Sequence, residues 1–229
     1  MPENRCLASF LIVAIALCLL CSVVEAREPF NVRAYALWVQ PDLDFKRSEV
    51  GGEISADADG ALGFGASAEY QFSDRLGVDL GLFRAAPDIN LSNYIREFDI
   101  TARATDGLAM TPLSLGLDIH LLPRDRVDLY LAPFVSWVYY GDLEFFVDES
   151  IDIDGQIIRI RDSVRVEAED DLAYGATLGI DVPFSSRPWA VSAGLRYMWT
   201  ELDLTDPDGV TEKLDFATWI VSLGLRYTF

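Results

Sequence analysis

The chain contains one histidine, His120, in the stretch "SLGLDIHLLPRDR". Asp118 precedes it by two residues and Ser114 by six. A histidine with an acid and a hydroxyl in reach can serve as a general base toward a nucleophile. This is therefore where catalysis would have to reside. The better-supported reading is a hydrogen-bonded, buried histidine, and we expect no catalytic residue. A lone histidine makes no transition-metal site by itself, so no metal site and no cofactor are expected either. A second set of chemical groups is scattered: Arg33, Glu69, Asp79, Asp118, Asp181, Arg196 and Arg226 stand as single charges within otherwise apolar or small-residue segments. A third is a repeated acidic word, "DADG" (Asp57–Gly60), "DIDG" (Asp152–Gly155) and "DPDG" (Asp206–Gly209). Carboxylates two apart before glycine resemble half of a calcium loop. A full loop needs an acid two residues earlier, where Ser55, Ser150 and Leu204 stand, and a closing glutamate. Asp-Gly also favours tight turns, and the turn is the stronger reading. No phosphate-binding glycine loop, nucleophile elbow or zinc motif occurs.

The elements that must position these groups begin after an apolar leader. Leu7–Val24 is apolar and is followed by "VEA", Val24–Ala26, with small residues at the positions a signal peptidase reads. Residues 1–26 are expected to be a cleaved signal peptide and residues 27–229 a single domain. All three cysteines, Cys6, Cys18 and Cys21, lie in the leader, so the mature domain has no disulfide. Removing Arg5 from the 18 basic residues, and Glu3 and Glu25 from the 37 acidic ones, leaves 17 against 35. So acidic a domain is a poor partner for nucleic acid.

Beyond the leader, period-two alternation recurs where helical periodicity does not. Eight segments carry it: Asn31–Gln40, Leu62–Phe72, Leu76–Phe83, Pro112–Leu121, Val127–Tyr140, Leu172–Phe184, Trp189–Trp199 and Phe216–Phe229. The connections "SDR", "LPRDR" and "SSRP" are short, whereas residues 41–61, 84–111, 141–171 and 200–215 are long and acidic. An even number of antiparallel strands with alternating short and long connections defines an all-β, eight-stranded transmembrane β-barrel. Its short turns are periplasmic and its long loops extracellular. One face of each strand carries bulky apolar residues and the other glycine, serine, threonine and the single charges. In a narrow eight-stranded barrel the small face must point inward, which leaves the apolar face for lipid. Aromatic residues gather next to the short turns (Tyr70, Phe72, Trp189, Tyr227, Phe229) and toward the long loops (Trp38, Tyr139, Tyr140, Trp199), as two interfacial girdles. The inward charges must then be paired or wet, and we expect a salt-bridged network in the periplasmic half of the lumen. Phe134, Val135, Trp137 and Val138 make both faces of the fifth strand apolar and suggest an apolar outer pocket. The segment Phe145–Val166 is expected to be a protruding hairpin, and no periplasmic domain is expected.

The stretches "PLSLGLDIHLLP", "LYLAPFVSWVYYGDLEF", "LRYM" and "LDFATWIVSLGLRYTF" resemble the outer-membrane protein W family, through nearly the whole domain. That resemblance implies an eight-stranded barrel of the bacterial outer membrane with a narrow, largely apolar interior. It further implies help for small hydrophobic molecules crossing the membrane, some leaving sideways into lipid. The charged inward face departs from this pattern. Tyr227 and Phe229, closing the chain in strand rhythm, resemble the signal read by the barrel assembly machinery. The expected function is a passive conduit or binding pocket for small hydrophobic ligands. The alternative is a surface-interaction barrel whose acidic loops carry the function, with a lipid A modifying enzyme a distant third. Expected partners are outer-membrane lipid and lipopolysaccharide, with divalent cations bridging its anionic leaflet to the acidic loops.

Overall fold

The computed structural model describes residues 30–49, 52–95, 100–122, 127–153, 156–184, 188–205, 209 and 211–229. The leader, residues 1–26, lies outside them. Among the described residues everything regular is β-strand: β1 (Phe30–Asp42), β2 (Asp44–Glu49), β3 (Gly52–Ala58), β4 (Ala61–Gln71), β5 (Leu76–Arg84), β6 (Asp88–Ile95), β7 (Ile100–Gly107), β8 (Met110–His120), β9 (Asp128–Tyr140), β10 (Leu143–Ile153), β11 (Gln156–Ala168), β12 (Asp171–Pro183), β13 (Trp189–Thr205) and β14 (Thr211–Thr228).

Eight of these close a barrel, in the order β1, β4, β5, β8, β9, β12, β13, β14 and back to β1, all antiparallel. They are the eight segments read from the alternation. Closure pairs the first strand with the last and so removes the open sheet edges that a lipid environment would not tolerate. The seam between first and last strands runs from Asn31↔Thr228 to Asp42↔Ala217. It is finished by the Phe229 amide donating to the Phe30 carbonyl at 3.0 Å.

The alternation sorts side chains as expected. Leu80, Leu115, Leu178 and Leu223 are 53, 53, 49 and 62 % exposed on the outer face, an apolar band that only lipid can cover. Trp189, Tyr227, Phe229 and Phe30 form a chain of ring contacts with centroids 4.8–5.6 Å apart at the short-turn end. Tyr174 with Trp199 and Tyr197 with Trp219 pair at the other end. Tyr140 corrects the girdle reading: it turns inward and meets the Phe216 ring edge-on, at 6.5 Å. The parity of β9 sends Tyr139 out and Tyr140 in.

The long connections are more ordered than the sequence implies. β13 and β14 have 17 and 18 residues, against the roughly 9–11 that a tilted strand needs to cross a bilayer. They project beyond the aromatic belt as one hairpin. β10 and β11 form the expected second hairpin, paired from Leu143↔Val166 to Ile153↔Gln156. β2, β3, β6 and β7 form a separate four-stranded sheet that alternation alone did not reveal. Leu43, Ala56, Ile89, Leu108, Leu143, Phe145, Leu202 and Phe216 make a common apolar interior for this outer storey.

Candidate functional site

Each barrel strand turns every second residue inward, and the register brings these residues to common heights. At the short-turn end this builds a floor of charges. Arg33 on β1 is 3 % exposed. Its Nη2 donates to Glu69 Oε2 on β4 at 2.8 Å and to Asp181 Oδ2 on β12 at 3.1 Å. Its Nη1 lies 3.5 Å from both Asp79 Oδ2 on β5 and Asp118 Oδ2 on β8. The guanidinium also sits over the Tyr130 ring, 4.8 Å from its centre. Arg226 on β14 donates to the same Asp181 oxygen at 2.9 Å and lies 3.4 Å from Asp128 Oδ2 on β9. Asp128 Oδ1 is 2.8 Å from His120 Nδ1, and His120 Nε2 is 2.8 Å from Glu69 Oε1. The contacts therefore close a ring across the lumen: Arg33, Asp181, Arg226, Asp128, His120, Glu69 and back to Arg33. Six strands contribute to it.

The floor is electrostatically lopsided. Five carboxylates (Glu69, Asp79, Asp118, Asp128 and Asp181) face two guanidiniums and one imidazole. Glu69 is saturated, with Asn31, Arg33, Gln71 and His120 all around its oxygens. Asp118 is not: its Oδ1 is buried with no hydrogen-bond partner. Gly179 lets the floor fit. A Cβ there would stand 2.1 Å from the Tyr130 ring, so the tyrosine that supports Arg33 occupies the space glycine leaves.

Above the floor is a cavity of about 50 Å³ lined by Tyr35, Ser67, Asp79, Thr177, Ser192 and Arg196, among others. It has room for a few water molecules. Arg196, expected in the charge network, lies higher than the ring. Its Nε donates to Thr177 Oγ1 at 2.9 Å and its Nη1 to Ser114 Oγ at 3.3 Å, with the guanidinium 4.5 Å from the centre of the Phe134 ring. Ser114 is further engaged with Ser136, at 2.5 Å. The structure thus separates the serine from the histidine that a catalytic reading would pair, and His120 faces carboxylates and an amide instead.

Higher still the inward face becomes apolar. Leu37, Val39, Phe83, Met110, Phe134, Val138, Ala173, Met198 and Ile220 are all buried and pack together. Phe134 and Val138 belong to this lining. Val135 and Trp137 do not: they alternate to the outer face, 39 and 45 % exposed, which corrects the expected four-residue pocket. A strand has two faces, and apolar residues on both cannot all reach one lumen.

The three acidic words fall in different settings. Asp57 and Asp59 sit where the chain passes from β3 to β4, not at a hairpin tip, and both accept from Asn90 Nδ2, at 3.2 and 3.0 Å. In the second word, Asp154 and Gly155 lie outside the described residues. In the third, residues 206–208 do too, while Gly209 has φ +80° in the turn between β13 and β14, where glycine avoids steric cost.

No family model matches the chain, and no curated protein matches it. Solved structures do. The outer membrane protein OprG from Pseudomonas aeruginosa superposes with a TM-score of 0.57 at 17% identity, over 88% of this chain and 96% of that one. The outer membrane protein AlkL in lipid bilayers gives 0.50 at 17% identity, over 91% and 93%. The outer membrane protease OmpT from Escherichia coli gives 0.55 at 7% identity, over 91% and 100%. At these identities the likeness concerns the fold. The fold and its lipid-facing band define the class: the chain is an eight-stranded β-barrel of the outer-membrane type. That is the architecture which the resemblance to the outer-membrane protein W family implied.

Proposed function

We propose that the barrel is a passive, non-enzymatic conduit or binding pocket for small hydrophobic molecules, loaded from the extracellular side. The observation that carries this reading is the change of lumen lining with height. Charges close the periplasmic half, whereas the inward face of the outer half is apolar around the ring, from Leu37 on β1 to Ile220 on β14. The apolar interior of the outer storey continues it, and both are closely packed, so a guest would enter by parting these side chains. A straight aqueous path is disfavoured by the floor, so cargo would leave sideways. The wall offers a place for this. Past Asp42↔Ala217, β14 stays paired with β13 as far as Thr211, while the chain after Leu43 enters the four-stranded sheet. One edge of β14 is therefore left without a partner strand among the described residues, close to the aromatic belt. Outer-membrane lipid and lipopolysaccharide would surround the barrel, and divalent cations would bridge that leaflet to the acidic outer strands.

The test is uptake of an apolar naphthalene-type fluorophore by cells whose lipopolysaccharide leaflet slows its entry. Ile220→Glu and Phe134→Glu place a charge in the apolar lining. Each is expected to lower uptake toward that of cells lacking the barrel, with the protein still folded in the membrane. Deleting residues 144–168 should leave most of the uptake. If the deletion abolishes function and the lumen variants do nothing, the acidic outer strands carry the activity as an interaction surface.

A further inference from the structure

The charged floor contains an arrangement that neither the ring nor the conduit reading requires. One ligand atom each from Glu69, Asp118 and His120 lie within 4.8 Å of one another. The three side chains come from β4 and β8, and all are buried. We propose that they form a binding site for one divalent transition-metal ion, of the zinc or manganese kind.

Four features of the site support this. The donor set of one imidazole nitrogen and two carboxylate oxygens suits zinc and its neighbours better than calcium or magnesium, which prefer oxygen alone. The second feature is the far side of the imidazole. His120 Nδ1 is held by Asp128 Oδ1 at 2.8 Å, the carboxylate–histidine contact that fixes the tautomer and aims the other nitrogen in metal sites. With Nδ1 carrying the hydrogen, the Nε2 lone pair faces Glu69 Oε1, 2.8 Å away. The third is Asp118 itself. It is 1 % exposed, and while its Oδ2 lies 3.5 Å from Arg33 Nη1, its Oδ1 has no hydrogen-bond partner, a costly state for a buried polar atom. The fourth is local shape: a Cβ on Gly77 would stand 2.6 Å from Glu69 Oε1, so glycine leaves the glutamate room.

Charge favours an ion as well. Five carboxylates face two arginines, and a dication neutralises more of that excess than a proton held between His120 and Glu69. Binding exchanges that proton for the metal and releases it to solvent. Gln71, whose amide lies 3.3 Å from His120 Nε2 and 2.5 Å from Glu69 Oε1, would supply its carbonyl oxygen as a fourth ligand after an amide flip. Asp118 also lines the small cavity above the floor, which leaves open space beside the site. This proposal is independent of what the apolar half carries.

The experiment uses the full chain purified from membranes in detergent. It is stripped with chelator, exposed to zinc, desalted and assayed for bound metal. X-ray absorption of the zinc-loaded protein reads the ligands. One zinc per barrel is expected, with a first shell of one imidazole nitrogen and otherwise oxygens. Asp118→Asn and His120→Gln should lose that stoichiometric zinc. Asp128→Asn should weaken binding by about tenfold to a hundredfold, the usual effect of losing an outer-shell partner. Asp79→Asn, a buried acid outside the triad, should retain it. Absence of stoichiometric zinc in the parent protein would overturn the proposal. So would retention in both triad variants, or an all-oxygen shell indicating the acidic outer strands. The absorption spectrum decides the matter on the parent protein if a variant fails to fold.

Discussion

Replacing Arg33 with methionine is expected to cost the barrel at least about 3–5 kcal/mol, the range for breaking a buried ion pair by removing one partner. The side chain touches four carboxylates, two of them at 2.8 and 3.1 Å. Methionine fills similar volume but leaves those carboxylates buried against one another with Arg226 and His120 as their remaining cations. The penalty is therefore repulsion and desolvation, not lost packing. Equilibrium unfolding in detergent or lipid, followed by tryptophan fluorescence, measures it. The mechanism makes a second demand: adding Glu69→Gln and Asp181→Asn to Arg33→Met should restore a large part of the loss, because neutral amides no longer need the guanidinium. If the single variant unfolds within about 0.5 kcal/mol of the parent, as a surface substitution would, the floor is wet and screened. If the triple variant is less stable than the single one, the repulsion argument is wrong.

The second large effect concerns the seam. Gly224 on β14 faces Tyr35 on β1. A Cβ built there would lie 2.1 Å from the Ala34 carbonyl oxygen and 2.7 Å from Tyr35 Cα. Both obstacles are backbone, so no rotamer change relieves them. The two strands would have to separate where the barrel closes. Gly224→Ala is expected to destabilise by about 1–3 kcal/mol, the usual cost of overpacking, and Gly224→Val by more, with a larger share of protein failing to reach the folded membrane form. Gly81→Ala is the control. Its Cβ would meet nothing nearer than 3.5 Å, and its stability should stay close to the parent's. Equal effects at the two positions would show that general strand propensity, and not the seam, decides the outcome.

The positions of the eight barrel strands were legible in the sequence because a sheet with lipid on one side imposes a strict two-residue period. Leu223 and Leu225 outside against Gly224 and Arg226 inside is one instance. Connection lengths then ordered the strands, and the absence of cysteine from the domain is consistent with a fold stabilised by closure. The period also separated the inward charges from the outward apolar residues. It failed where both faces are apolar: on β9, Val135 and Trp137 share the hydrophobicity of Phe134 and Val138 but not their side of the wall. It failed again beyond the membrane. Without a lipid face to enforce alternation, β2, β3, β6 and β7 left no clear mark in residues 41–61 and 84–111.

The floor of the lumen was decided by tertiary structure. Single charges on separate strands could be listed from the sequence, but their heights depend on register across every seam of the barrel. Register set Arg33 among four acids and lifted Arg196 out of the network onto Phe134. It also brought Asp128, which no motif singled out, against His120. Alternation along the chain was enough to show that the inward charges exist and that lipid lies outside. Only closure of the ring decided which charges meet, because neighbours in the lumen are residues far apart in the chain, held at one level by backbone hydrogen bonds that no local pattern encodes.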